Sequence, residues 1–258
     1  MQIKQIKNFI ELKSCLFSVF ILVTSCFILC STARAEDSFR HFRFEAELGP
    51  AWQSRNDVRI PGSTGTNFSL SDFSSGPFFA YRLMGWWRFN ENHAVRALFA
   101  PFEISVDGTP TSDISFDGRL FAAGAPLHGT YKFNSYRLAY LYTFSPVGSW
   151  RFNLGFSAKI RDARITLKSN SVSESYTNIG FVPLLLGRAE YHFTPRLWTF
   201  LDFEALAVPQ GRAEDVTIQI RYRAIGPIDV GLGYRMIEGA LATTKSIHSL
   251  RSTTLFYP

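Results

Sequence analysis

Apolar and polar residues alternate with a period of two along most of the chain. From Trp150 to Arg161, Phe152, Leu154, Phe156, Ala158 and Ile160 fall on one face. Arg151, Asn153, Gly155, Ser157, Lys159 and Arg161 fall on the other. Successive side chains of a strand point to opposite faces, so this segment reads as a strand with one greasy and one wet side. A helix would spread the same residues around its circumference.

The pattern recurs along the chain. In 42–52, Phe42, Phe44, Ala46, Leu48 and Trp52 alternate with Arg43, Glu45, Glu47 and Gly49. In 78–89, Phe79, Tyr81, Leu83, Trp87 and Phe89 oppose Arg82, Met84, Trp86 and Arg88. Segments 135–144, 179–193, 197–207, 216–224 and 228–237 behave alike, whereas 94–106 is strand-like with ambiguous facing. That makes nine strands. Short turns are expected at 90–93, 145–149, 194–196 and 226–227, and longer polar links at about 53–76, 107–128, 162–177 and 208–215. Short turns at one end and long loops at the other are the layout of an outer-membrane barrel.

An unpaired strand edge has no partner in hydrocarbon, and bacterial single-chain barrels use even strand numbers. A tenth strand is therefore expected within 243–258, although that stretch alternates poorly. Eight strands is the runner-up.

Composition agrees. Aromatics make up 16% of the chain, including 25 Phe, while the mean hydropathy is only +0.01. No segment beyond the N-terminal region approaches the length of a spanning helix. A wall that is apolar on one face only produces this combination. Residues 1–35 read as a signal peptide: Lys4, Lys7 and Lys13, then an apolar run from Cys15 to Cys30, then the small-x-small site Ala33-Arg34-Ala35. Cleavage there removes all three cysteines and lowers the net charge from +6 to +3, since Lys4, Lys7, Lys13, Arg34 and Glu11 leave. A disulfide or thiolate metal site is then excluded, and no basic stripe suited to nucleic acid remains. Residues 36–258 are expected to form a single all-β domain.

In these alternating strands, and in aromatic residues beside the short turns, the chain resembles the Gram-negative outer-membrane β-barrel superfamily over about residues 40–237. The expected aromatic belt comprises Trp86, Trp87, Tyr140, Tyr142, Trp150, Tyr191 and Trp198, whose rings suit the headgroup level. Members of that superfamily often end in an alternating strand with a terminal Phe. This chain ends Leu255-Phe256-Tyr257-Pro258, which suggests a frameshift or truncation affecting its last 15 to 20 residues.

The candidate site is a charge cluster inside the barrel: Arg188, Asp202, Glu204, Arg221, Arg223, Arg82, Glu45 and Glu47. Arg188 is expected opposite Asp202, and Asp202 opposite Arg221. Opposite charges across strands keep enclosed ions paired. The reading is structural filling of a narrow interior, with a polar path for a small solute as the alternative. Of the histidines, only His128 falls near the exterior, without a nameable Ser or Asp partner. No G-x-S-x-G, HExxH or cysteine cluster occurs in the chain.

The sequence therefore leads to a non-enzymatic outer-membrane barrel, structural or surface-binding, without cofactor. Its expected partners are outer-membrane lipid, lipopolysaccharide and the barrel-assembly machinery. A narrow channel for small polar or anionic solutes and a lipid A-modifying enzyme are the alternatives. Arg at position 156 is expected to impair insertion, and Arg at 157 to be tolerated if the interior has room.

Overall fold

A computed structural model describes the backbone of residues 41–208, 211–242 and 247–256, and the side chains of 41–206 and 213–239. The expected leader, with Ala33 and Ala35, lies outside the described residues.

Ten antiparallel wall strands follow in chain order: β1 (Phe42–Arg59), β2 (Phe78–Arg88), β3 (His93–Ala100, resumed as Glu103–Gly108), β4 (Leu127–Thr143), β5 (Trp150–Ser169), β6 (Val172–His192), β7 (Leu197–Val208), β8 (Gly211–Ile225), β9 (Ile228–Ala242) and β10 (Ile247–Phe256). Each pairs with its chain neighbours, and β10 pairs back onto β1, with Ala51 opposite Thr254 and Arg59 opposite Ile247. The sheet thus curls into a barrel whose first and last strands meet over the loop-side part of the wall. The expected tenth strand exists, and its backbone is paired on both sides. Pairing at this seam runs over Ala51–Arg59 of β1 and Gly233–Ala242 of β9; no pairing with β10 is described for Phe42–Pro50 of β1 or Ile228–Leu232 of β9.

Two expected links are in fact strand. Residues 162–177 continue β5 and β6 as a long hairpin, with Ser169 opposite Val172 and Asn170 in the left-handed region at φ 49°. Strands β7 and β8 run on until Val208 opposes Gly211. β5 has 20 residues and β6 has 21, about twice the roughly 9–11 needed to cross a membrane.

The surplus length explains the central feature of the fold: the wall inverts its polarity partway up. In the half of β5 near the short turns, Phe152, Leu154, Phe156 and Ile160 are exposed on the outer face, while Ser157 and Lys159 are buried inside. Further on, the facing continues unbroken but the chemistry swaps. Ala163, Ile165 and Leu167 now point inward and are buried, and Asp162, Arg164, Thr166 and Lys168 point outward. β6 does the same, with Ile179, Phe181 and Leu185 exposed outward in the lower half and Ser173, Ser175 and Thr177 outward above.

The ambiguous facing of 94–106 has the same origin. Its even-numbered residues point inward throughout, from Arg96 and Leu98 to Ile104 and Val106. An apolar outer face thus gives way to an apolar inner one along a single strand.

The lower half is an inside-out barrel. Phe44 is 84% exposed, Phe181 69% and Phe156 63%, a ring of large apolar side chains that only a lipid environment would cover. The chain is a transmembrane β-barrel of the outer-membrane type. Phe156→Arg is expected to cost about 2–4 kcal/mol near the bilayer midplane. Folding into vesicles, scored by heat-modifiable gel migration, should fall sharply, while Phe156→Leu should fold like the parent. Equal yields for both variants would count against the facing. Ser157 faces inward and is 1% exposed, with Leu184 and Ala139 as its neighbours in register, so Ser157→Arg in the same assay reads how much room the interior holds.

Candidate functional site

Two layers fill the barrel interior. The lower, at the level of the apolar outer band, is charged. Arg188 lies opposite Asp202 in register and donates to it at 3.2 Å through Nη1, as the alternation predicts. Arg96 binds both Asp202 at 2.6 Å and Glu204 at 2.5 Å. Arg137 spans Glu204 at 3.0 Å and Asp215 at 2.6 Å. Arg235 grips Asp215 with two donors, at 2.7 and 2.5 Å. Arg82 pairs with Glu47, which also accepts from Gln219 at 2.7 Å. Arg221 closes the circuit onto Glu45 at 2.5 Å. Each carboxylate is tied to guanidinium groups, which a buried ion requires.

One expected pairing is wrong. Arg221 does not face Asp202; it faces Trp198, and Asp202 faces Thr217. The β7–β8 turn lies earlier than the register assumed, which moves Arg221 down to the Glu45–Glu47 end. Arg223 leaves the central cluster for Asp229 at 3.3 Å. Arg96, Arg137, Glu190, Asp215 and Arg235 belong to the network but were absent from the expected cluster. Their inward facing follows from the alternation once β3 and β8 are given their full lengths.

Trp86 and Trp198 also depart from expectation, since neither joins the belt. Trp86 alternates with outward Trp87 and therefore points inward, where the guanidinium carbons of Arg43, Arg96 and Arg188 lie 4.8, 5.0 and 5.5 Å from its ring. Trp198 is 5% exposed, stacked on His192 at 5.9 Å and approached by Arg223 at 5.8 Å. Phe200 takes Arg188 at 3.7 Å and Arg221 at 4.8 Å. Cations over ring faces hold their charge where water is excluded. The other belt residues do face outward. Trp150 meets Tyr191 edge-on at 4.9 Å, and the Tyr140 hydroxyl hydrogen-bonds His93 Nδ1 at 2.5 Å, beside Tyr142.

The upper layer is an apolar plug. Residues 60–77 fold into the mouth. A short strand, Phe68–Ser69, pairs with Asp57 and Val58 of β1. A 3-10 turn at Leu70–Asp72 then sets Leu70 in the core at 0% exposure. Gln53 holds this turn from inside, donating to Ser74 O at 2.5 Å, and Asn56 donates to Gln53 Oε1 at 2.9 Å.

A hairpin, Ile114–Phe116 with Arg119–Phe121, lies against it. Asp117 and Gly118, at φ 46° and 82°, make its tight turn. Asp117 N donates to Ile60 O at 2.9 Å and Thr66 N to Ser115 O at 2.9 Å. Phe116 and Phe121 enter the core with Leu70, Tyr131, Ile165 and Leu167, and Phe68 meets Phe116 edge-on at 6.3 Å.

Outside, near the loop end, His128 Nδ1 contacts Asp107 Oδ1 at 2.7 Å, so the structure supplies the acidic neighbour that the sequence did not. Thr130 Oγ1 lies 3.5 Å from Nε2, too far for an effective hydrogen bond.

Neither a protein-family profile nor any curated protein matches the sequence. Solved structures do align over most of the chain. The attachment invasion locus protein Ail of Yersinia pestis is 9% identical, with 85% of this chain and 99% of that chain covered at a TM-score of 0.38. The outer membrane protease OmpT of Escherichia coli is 8% identical, covering 84% and 94% at 0.49. The toluene transporter TodX of Pseudomonas putida is 10% identical, covering 86% and 89% at 0.35. Their activities differ, and the fold of this chain rests on its own curled, polarity-inverted wall.

Proposed function

We propose that the protein is a sealed, non-conducting outer-membrane barrel, structural or surface-binding, that presents its loop end at the cell surface. The observation behind this reading is the pair of seals in series. An ion-pair layer fills the membrane-level interior, and an apolar core of loop and hairpin residues fills the mouth above it. A path for a polar solute would need both to open. Breaking buried ion pairs and hydrating a packed apolar core each carry a large cost. The lipid and lipopolysaccharide of the membrane contact the outer apolar band, and the barrel-assembly machinery delivers the chain there.

Planar-bilayer recording tests the seal. Incorporated protein should leave the membrane at its baseline, under conditions in which a porin produces steps. A steady ohmic conductance would overturn the reading in favour of a channel. Orientation can be tested separately. Leu120, in the second strand of the mouth hairpin, is 60% exposed, and the chain has no cysteine after residue 30. Leu120→Cys on intact cells should react with a membrane-impermeant maleimide. Labelling only after the outer membrane is broken would reverse the assigned orientation.

A further inference from the structure

The surplus length of β6 leaves one of its edges bare. Pairing between β6 and β7 begins at Leu185, opposite Ala205, and β7 itself ends shortly beyond, at Val208. Among the described residues, β6 pairs from Val172 to Leu184 with β5 alone, in unbroken register. The direction of each backbone group on that stretch follows from the turn. Ser169 opposite Val172 closes a two-residue hairpin, and the pair that closes such a hairpin exchanges its backbone hydrogen bonds. Even-numbered residues of β6 therefore bond to β5. The N–H and C=O groups of Ser173, Ser175, Thr177 and Ile179 point to the open side.

Two independent features agree. The Ser175 N–H has no strand to donate to and is capped by its neighbour, donating to Glu174 Oε1 at 3.0 Å. Pro183 falls on the same alternation, and a proline, which has no N–H, is tolerated within a strand where that position faces no partner. Above Pro183 the edge lacks the usual protection. It carries no Lys or Arg from Val172 to Val182 and no bulge, the devices that keep a bare edge from being extended. The strand is anchored on its outer face, where Thr166 Oγ1 donates to Ser175 Oγ at 3.1 Å and Arg164 Nε to Thr177 Oγ1 at 3.2 Å. Ser173, Ser175 and Thr177 are exposed there, so what remains free is a row of amide donors and carbonyls facing water.

We propose that the edge Ser173–Ile179 is a docking site at which an extended, uncharged segment of another protein adds itself as an antiparallel strand. Backbone hydrogen bonds supply the affinity in strand addition, and alternate side chains the selectivity. Ser173, Ser175 and Thr177 favour hydroxyl-bearing and β-branched residues opposite them. Glu174 is the only charged residue from Val172 to Val182, and it already has Arg119 at 3.5 Å, so the incoming strand needs no charge of its own. The connections that border the edge, at 170–171 and between Val208 and Gly211, are two residues each, too short to lie along it. A second copy fits no better. Two barrels in one membrane run their β6 strands the same way, so their edges never meet antiparallel. The site gives the surface-binding reading a partner class, and rests on that reading only for the side of the membrane.

The test uses the full barrel folded in detergent and a dye-labelled peptide of alternating threonine and valine with a lysine at each end. The peptide should bind saturably, and amide hydrogen exchange at Ser173, Thr177 and Ile179 should slow when it is bound. Thr177→Pro removes one donor from the open side and, like Pro183, none from the β5 side. It should keep the heat-modifiable migration and weaken binding about tenfold, the net value of one backbone hydrogen bond. The same peptide with every amide N-methylated should not bind the parent, a control that does not depend on how the variant folds. Undiminished binding to Thr177→Pro, binding of the methylated peptide, or no saturable binding at all overturns the proposal. Slow exchange at those amides in the barrel alone also overturns it. The edge is then already covered, by this chain or, where protection rises with protein concentration, by a second copy. Maleimide labelling at position 120 reads the orientation separately, so the docking edge and the surface reading can fail independently.

Discussion

Replacing Asp215 by Asn should destabilise the folded barrel by about 3–5 kcal/mol, the range for removing one partner from a buried ion pair. Asp215 receives two donors from Arg235, at 2.7 and 2.5 Å, and one from Arg137, at 2.6 Å. The amide keeps the size of the carboxylate but removes its charge, leaving two guanidinium groups enclosed together. Asp229→Asn is the internal control. Its ion pair to Arg223 is 3.3 Å long, and the Arg223 side chain is 30% exposed, so water screens the loss to about 0–1 kcal/mol. Urea titration of detergent-folded protein, read by loss of the fast-migrating form, separates the two. Similar midpoints for both variants would mean that the interior is hydrated.

Phe116→Ala should have an effect as large but confined to the mouth. Truncating a buried phenylalanine costs about 3–5 kcal/mol, and Phe116 is fully buried. The hairpin that carries it forms a two-stranded sheet of its own, apart from the wall sheet. Its loss should therefore loosen the plug and leave the ten wall strands paired. Limited proteolysis of the folded variant should cut within 109–126 while the barrel keeps its heat-modifiable migration. Protection equal to that of the parent would show that the backbone bonds from Asp117 and Thr66 hold the hairpin unaided.

The alternation of β1, β2 and β5 was legible because each side chain in the lower half meets one of two opposite environments. Residue type therefore reports facing directly. The same logic misled the reading where the environments exchange. In 162–177 polar residues occupy outward positions, so the stretch resembles a loop if an outer face is assumed to be apolar. Ile165 and Leu167, inward and buried, are the residues that identify it as strand. Trp86 and Trp198 misled in another way. An aromatic ring suits a lipid interface, but it suits a guanidinium equally well, and only the facing decides between them.

Sequence by itself determined nine of the strands, the apolar outer band and the inward direction of the charged residues in the lower half, because a period of two is a local property of the chain; the tenth strand was expected from the need to pair a free edge, not from its own alternation. Tertiary structure alone decided that Arg221 reaches Glu45 rather than Asp202, that residues 60–77 and 114–121 fold back to fill the mouth, and that Lys159 has no carboxylate within ion-pair distance among the described residues. Those facts depend on turn position, stagger and contacts across the interior between residues far apart in the chain, and no local alternation encodes them.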